Sequence, residues 1–181
     1  MTRRADKVLV VGGGFTGMAA ACQLRKLGAA VDLVEMDPNW QSYRAGISIG
    51  GAMLRAFRTL GILEDFLAAG FAGDGVDVFA ADDRYLGQLH TPRVAGDEVC
   101  GGGAVMRPVL ARILADAAMR AGAQVRIGCT FKSMQQDAYG VHVELTDGSS
   151  DRYDLVIGAD GVHSAVRETF FCGAPRPRHR R

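Results

Sequence analysis

Hydrophobic residues near the start of the chain form two continuous runs, and a stretch with helical spacing separates them. Residues 7–11 and residues 31–35 are short apolar runs, KVLVV and VDLVE, of the kind that buried parallel strands show. Between these runs, Leu24 and Leu27 share a face with several alanines at helical spacing, which predicts a helix over residues 15–27. The pattern therefore predicts a strand, a crossover helix and a second, parallel strand.

The later elements follow from the same periodicities and from the glycines and prolines that interrupt them. Helices are predicted over residues 51–59, 63–69 and 107–120, and short strands over residues 76–79 and 85–89. A strand from Gln124, a meander with turns at residues 137–140 and 147–148, an apolar strand before Gly158 and a helix opening near Ser164 complete the series. Val141, Val143 and Leu145 alternate in the meander, which predicts a solvated position for His142.

Three glycines directly after the first strand have the spacing GxGxxG, at Gly12, Gly14 and Gly17. The first permits a tight turn, the second lets the backbone approach a pyrophosphate, and the third lets the following helix pack closely on the strand. The N–H groups of the helix start at Phe15 and Thr16 then face the phosphates. This arrangement predicts the ADP-binding half of a dinucleotide site.

Glu35 ends the second strand, at the position where an acid can accept hydrogen bonds from ribose hydroxyls. Its negative charge would repel a 2′-phosphate, so FAD or NAD fits better than NADP. The alternative is a glycine-rich turn in which strand and helix only pack closely and nothing binds.

Composition excludes several other functions. The 181 residues have a formal net charge of +1 and fit one domain without an overall basic field for nucleic acid. The only basic run consists of Arg176, Arg178, Arg180 and Arg181. It is interpreted as a solvated C-terminal segment of the sequence. The four cysteines form no CxxC pair, and neither they nor the four histidines have the spacing of metal ligands. These residues are Cys22, Cys100, Cys129, Cys172, His90, His142, His163 and His179. We therefore expect a cytoplasmic protein with reduced thiols, no metal and no membrane span.

A second informative stretch is DLVIGADGVHSAVR, residues 154–167. Asp160, just beyond a predicted strand, can accept hydrogen bonds from ribose or ribityl hydroxyls, and Gly161 lets backbone lie against a cofactor. The alternative is a plain turn in which Asp160 accepts local N–H groups and pairs with Arg167. Ser164 is interpreted as a helix cap, because no histidine and acid accompany it as a catalytic triad requires.

These motifs in this order resemble the class A flavoprotein monooxygenases, the para-hydroxybenzoate hydroxylase-like aromatic hydroxylases. The resemblance rests on GxGxxG, Glu35, Arg44 in YRAGI, Arg107 in MRPVL and the GADG of residues 158–161. It implies an α/β, Rossmann-like FAD-binding fold with three layers and a parallel central sheet, a β-meander and the start of a smaller substrate lobe. In the family, the two arginines reach the FAD phosphates or ribityl chain, and Phe131 meets the adenine through its backbone.

The implied function is FAD-dependent monooxygenation, in which NADH or NADPH reduces FAD and O2 then hydroxylates a small, usually aromatic, substrate. Because the cofactor carries this chemistry, no catalytic side chain is assigned. Two alternatives remain open. The chain is a non-catalytic FAD- or nucleotide-binding module or a truncated remnant, or it belongs to another flavoprotein group such as the halogenases or isoprenoid reductases. The glycine-rich region contains no lysine that would support a halogenase.

Family members continue well past the GADG motif. Residues 1–181 are therefore expected to form an FAD-binding domain that is incomplete at the C-terminus, and residues 72–104 to begin an inserted substrate lobe. Activity would then require a longer product or a second, completing polypeptide, and a homo-oligomer is a further expected form of association.

Overall fold

The computed structural model describes residues 5–40 and 44–171. These residues divide into two compact units, one formed by residues 5–40 and 114–171 and the other by residues 44–113. Cys172 and the basic tail, for which a solvated end was predicted, lie outside the described residues. No helix within the described part is long and apolar enough to cross a membrane.

Secondary structure follows the predicted order closely. Along the chain the elements are β1 (Lys7–Val11), α1 (Phe15–Lys26), β2 (Ala30–Glu35), β3 (Gly46–Gly50), α2 (Gly51–Leu60), α3 (Leu63–Ala69), β4 (Phe71–Gly73), β5 (Gly75–Phe79), β6 (Tyr85–His90), β7 (Gly102–Met106), α4 (Arg107–Arg120), β8 (Gln124–Ile127), β9 (Phe131–Asp137), β10 (Gly140–Leu145), β11 (Ser150–Tyr153), β12 (Leu155–Gly158) and α5 (Ala165–Phe170).

The structure differs from the predicted elements at some of their ends and in three additional strands. α1 ends one residue before Leu27, which is its C-cap, and β2 begins at Ala30. Strands β3, β4 and β7 were not predicted, because they are short and rich in glycine. His142 is exposed on β10, as its alternation with apolar neighbours predicted.

A parallel sheet in the order β12-β1-β2-β8 is the centre of the first unit. Helix α1 connects β1 to β2 and packs on both strands through a buried stripe that includes Met18, Ala21 and Cys22. The sheet face opposite the meander carries Val8 and Val10, which are fully buried. The chain thus has the α/β, Rossmann-like fold that was predicted.

The antiparallel meander β11-β10-β9 covers the other face of this sheet. A buried core joins the two layers and consists of Leu9, Val11, Val34, Cys129, Met134, Val141, Val143, Leu145, Tyr153 and Val166. Helix, parallel sheet and meander are therefore stacked as three layers around apolar strand faces.

One polar contact spans this core. Tyr153 is only 1% exposed, and its hydroxyl donates a 2.7 Å hydrogen bond to Oδ2 of Asp32 on β2. Burial, reinforced by this carboxylate, raises the pKa of Tyr153 well above its usual range. The contact explains why Asp32 interrupts the apolar residues of β2, since its partner comes from β11 of the meander.

The second unit contains two antiparallel sheets, in the orders β3-β7-β4 and β5-β6. Helices α2 and α3 pack through Phe57 and Phe66, whose ring centroids lie 5.2 Å apart. Residues 72–104, for which a substrate lobe was predicted, lie within this unit, and their assignment to such a lobe stays a prediction.

Asp74 organises the loop before β7. Its carboxylate pairs with Arg93 and accepts a 2.9 Å hydrogen bond from the N–H of Gly101. The Arg93 guanidinium, followed by the Gly101 amide, lowers the pKa of Asp74 to about 2. The ion pair is exposed, so it orders the loop more than it stabilises the fold.

We expect Tyr153→Phe to lower the free energy of unfolding by about 1–2 kcal/mol, because Asp32 would lose its hydrogen-bond donor in a partly buried position. Urea denaturation followed by circular dichroism measures the change. Tyr139→Phe is the matched control, since Tyr139 is 72% exposed, and it should change the free energy by less than about 0.5 kcal/mol. Equal effects of the two substitutions would contradict the role given to the Tyr153 hydroxyl.

We expect Arg93→Gln to raise the pKa of Asp74 toward its ordinary value. The folded-state pKa lies below the unfolded one, so the contribution of Asp74 to stability is present above about pH 4. It is lost as the pH falls toward about 2, the folded-state pKa. A carboxyl-detected NMR titration of both proteins measures the shift, and an unchanged pKa in the variant would exclude Arg93 as its main cause.

Candidate functional site

The two glycine-containing motifs meet at the carboxyl edge of the parallel sheet. Val11 and Gly158 are paired residues at the ends of the adjacent strands β1 and β12. Beyond the strand ends, the N–H of Ala159 donates to the carbonyl of Val11 at 2.7 Å, and the N–H of Gly12 donates to the carbonyl of Val34 at 2.8 Å. These hydrogen bonds hold the loops after β1, β2 and β12 side by side.

Gly12 and Gly17 are required by the fold itself. Gly12 has a φ of +105°, and a Cβ there would lie 2.5 Å from the carbonyl oxygen of Ala159. A Cβ at Gly17 would lie 1.9 Å from the carbonyl oxygen of Gly12. Any side chain at these positions would push the glycine turn away from β12 or from α1.

Gly14 differs, because nothing in the fold requires a glycine there. Its φ of −71° suits any residue, and apart from its chain neighbours no atom of the described residues lies within 4 Å of where a Cβ would be. Gly14 is the N-cap of α1, whose first turn carries no acidic residue and has no side-chain cap. The missing side chain leaves open space over the positive end of the helix dipole, where a phosphate would lie.

Glu35 ends β2 beside this helix start. Its Oε2 accepts a 2.7 Å hydrogen bond from the N–H of Gly13, and its Oε1 accepts a 2.8 Å hydrogen bond from the N–H of Asp37. A carboxylate has about four acceptor positions, and backbone N–H groups of the described residues use two of those of Glu35, so positions remain that a hydroxyl group could use. The side chain is thus oriented by the backbone before any ligand binds.

Asp160 follows β12 on the other side of β1. Its Oδ2 accepts a 3.1 Å hydrogen bond from the N–H of Val166, but its Oδ1 is buried and has no hydrogen-bond partner among the described residues. Arg167 does not pair with Asp160 and instead donates to the carbonyl of Val162 at 2.8 Å. The plain-turn alternative therefore leaves one oxygen unexplained, and a buried unpaired acceptor is the feature that a ligand hydroxyl would satisfy.

Ser164 caps α5, as predicted. Its Oγ accepts a 3.0 Å hydrogen bond from the N–H of Arg167. This bond fixes the helix that follows the Asp160 loop.

A cleft of about 240 Å³ connects these features. It is lined by Val11, Gly12, Gly14, Val34, Glu35, Met36, Thr130, Ala159, Asp160 and Gly161. Helix α1 connects β1 to β2 on one side of β1 in the sheet, while β12 is the neighbour of β1 on its other side. The cleft thus lies where the connections from neighbouring strands diverge, which is the usual ligand position in such sheets. Its volume suits part of a dinucleotide.

The remaining predicted site residues lie on α1, on β9 and in the second unit. Phe15 and Thr16 form the first turn of α1. Phe131 begins β9 and packs its side chain on the buried core, while Thr130 before it lines the cleft. Arg44 and Arg107 belong to the second unit, where the N–H of Arg107 donates to the carbonyl of Ala45 at 2.8 Å. Contacts of these residues with a cofactor stay predictions.

Sequence reasoning missed Gly13 and Trp40. The indole Nε1 of Trp40 donates a 2.7 Å hydrogen bond to the carbonyl oxygen of Gly13. Gly13 is the middle one of three consecutive glycines, at a position where GxGxxG does not need a glycine. This was the available signal that another group packs against the turn.

Comparison with known proteins identifies the family of this chain. A family model described as FAD binding domain matches residues 5–178. Flavin-dependent monooxygenase eupH of Phoma sp is 34% identical over 176 residues, covering 90% of this chain and 39% of that protein. The 2-heptyl-3-hydroxy-4(1H)-quinolone synthase of Mycobacteroides abscessus is 34% identical over 159 residues, covering 88% of this chain and 41% of that protein.

The fold also matches solved structures. A tetrameric form of 2-methyl-3-hydroxypyridine-5-carboxylic acid oxygenase superposes with a TM-score of 0.75 and 25% identity, covering 92% of this chain and 42% of that one. The chain therefore spans about two fifths of the length of the proteins it resembles.

We expect Gly14→Ala and Gly17→Ala to differ sharply in stability. The first should lower the free energy of unfolding by no more than about 1 kcal/mol, since only N-cap preference opposes it. The second should lower it by about 3 kcal/mol or more, because its Cβ would overlap the carbonyl of Gly12. Thermal and urea unfolding of both variants measure this, and a similar loss in both would mean that packing alone explains the motif.

Proposed function

This chain belongs to the FAD binding domain family, and we propose that its first unit holds the ADP half of FAD in the cleft at the carboxyl edge of the parallel sheet. The main support is the convergence of both sequence motifs on that cleft, with Gly12, Gly14 and Glu35 from one and Asp160 and Gly161 from the other. Residues far apart in sequence contribute to one lining, which an isolated glycine turn would not need.

In this proposal the diphosphate lies over the N-terminus of α1. The space that Gly14 leaves open admits the phosphate oxygens, and the positive end of the helix favours their charge. Phe15 and Thr16 contribute the N–H groups of this first turn.

The two carboxylates bind hydroxyl groups on opposite sides of β1. Glu35 uses its remaining acceptor positions for the ribose of the adenosine half. Asp160 uses its unpaired Oδ1 for a ribityl or ribose hydroxyl, and Gly161, with a φ of +80° and open space at its Cβ position, lets the ligand approach the backbone.

We further propose that the protein works as an FAD-dependent monooxygenase. Bound FAD would supply the redox chemistry, in which two electrons pass from NADH or NADPH to O2, one oxygen atom enters a small aromatic molecule and the other is reduced to water. The monooxygenase names of similar proteins support the reaction class, and the quinolone and hydroxypyridine in the names of two of them support an aromatic substrate. This chain's own residues would bind and orient the cofactor.

Reconstitution tests the proposal directly. The purified chain is mixed with FAD, freed of excess ligand, and examined for the visible flavin spectrum and for affinity by titration calorimetry. Stoichiometric binding supports the cofactor assignment, and NAD(P)H oxidation in the presence of phenols and O2 supports the activity. A folded chain that stays colourless at saturating FAD would overturn the proposal and favour a remnant that no longer binds flavin.

We expect Glu35→Ala and Asp160→Ala each to weaken FAD affinity about 10- to 100-fold, because each removes a hydrogen bond to a charged group. Calorimetric titration of each purified variant measures the change. Glu144→Ala is the matched control, since this carboxylate on β10 of the same unit pairs with Lys132 on β9 and is not among the residues that line the cleft. Wild-type affinity in both test variants would show that the cofactor lies elsewhere.

A further inference from the structure

The only tryptophan of the chain contacts the glycine turn from outside the cleft. Trp40 donates its indole N–H to the carbonyl of Gly13, yet neither residue is among those that line the cleft. A Cβ at Gly13 would lie 2.5 Å from the indole Nε1 and 2.9 Å from Cβ of Glu35. Gly13 is therefore a glycine because Trp40 and Glu35 occupy the space around it.

Four hydrogen bonds close a ring through this contact. The N–H of Gly13 donates to Oε2 of Glu35 at 2.7 Å, and Oε1 of Glu35 accepts from the N–H of Asp37 at 2.8 Å. The carbonyl of Asp37 accepts from the N–H of Trp40 at 3.1 Å, and the indole of Trp40 donates back to the carbonyl of Gly13 at 2.7 Å. The ring thus holds the peptide groups on both sides of Gly13 and both oxygens of Glu35.

Trp40 makes this contact from a strained backbone conformation. Its φ is +45°, in the left-handed region that bulky residues rarely enter. Such a conformation persists only where the surrounding contacts hold it, and it is found most often at functional sites. The Asp37 side chain supports the turn by accepting a 2.9 Å hydrogen bond from the N–H of Asn39.

We propose that Trp40 is a positioning residue for the cofactor, which rests on the proposed function of the cleft. Because a trans peptide is planar, its C=O and N–H point in opposite directions. By holding the Gly13 carbonyl on the outer side, Trp40 directs the N–H of Gly14 away from the indole, toward the diphosphate. Through the ring it also fixes the Glu35 carboxylate, so that less conformational freedom is lost when the ligand binds.

The test compares Trp40→Phe with the wild-type chain in binding ADP and FAD by titration calorimetry. Phenylalanine keeps an aromatic ring but removes the indole N–H, and we expect affinity for both ligands to fall about three- to tenfold. The control Tyr139→Phe, which alters an exposed aromatic residue outside the cleft, should leave both affinities unchanged.

A double-mutant cycle separates positioning from general destabilisation. Since Trp40 acts through the same ring as Glu35, Trp40→Phe should weaken ADP binding much less in a Glu35→Ala background than in the wild type. Additive effects would overturn the proposal, as would an unchanged affinity of Trp40→Phe for ADP.

The free protein offers a second readout that does not depend on a bound ligand. The single indole N–H gives one cross-peak in a 1H–15N NMR spectrum, and the ring predicts that its exchange with solvent is slow. Gly13→Ala and Glu35→Ala should both accelerate this exchange. An indole N–H that exchanges at the rate of free tryptophan would show that the ring of four hydrogen bonds does not form.

The outcomes distinguish this inference from the proposed function. If the wild-type chain binds ADP and FAD but Trp40→Phe binds them equally well, the positioning role fails and the cofactor site stands. If the folded wild-type chain binds neither ligand, both proposals fail.

Discussion

The first unit depends on the close approach of two backbone turns at the carboxyl edge of its parallel sheet. Gly12 can lie against the carbonyl of Ala159 only because it has no Cβ and adopts a positive φ. This approach lets backbone hydrogen bonds continue past the ends of β1 and β12, and it brings the Asp160 loop to the glycine turn. Without it, the cleft would lose the part of its lining that Ala159, Asp160 and Gly161 form.

The glycines of the turn have different physical roles, although the sequence motif treats them alike. Gly12 and Gly17 are explained by contacts within the fold, and Gly13 by the indole and carboxylate that pack around it. Gly14 has no such explanation, since its conformation and surroundings would accept a side chain. Neither Gly14 nor Oδ1 of Asp160, which has no hydrogen-bond partner among the described residues, is explained by contacts within that part of the chain.

Much of the secondary structure was predictable from spacing alone. α3 and α4 have the predicted bounds, and the meander turns occur where Asp and Gly residues interrupt the alternation. These elements depend on local periodicity and turn chemistry, which a single sequence displays. Strands β3, β4 and β7 depend on pairing between distant glycine-rich segments, and no local pattern reveals that pairing.

The sequence by itself determined the strand–helix–strand unit, the glycine turn and the acids after β2 and β12, because periodicity and residue chemistry are local. Only the tertiary structure decided which atoms of those acids remain available. The hydrogen bonds of Glu35 and the contact of the Trp40 indole with Gly13 depend on distances between separate segments, as does the lack of a partner for Asp160 Oδ1 among the described residues. Such distances follow from packing, in which one side chain can satisfy or exclude another far away in the chain.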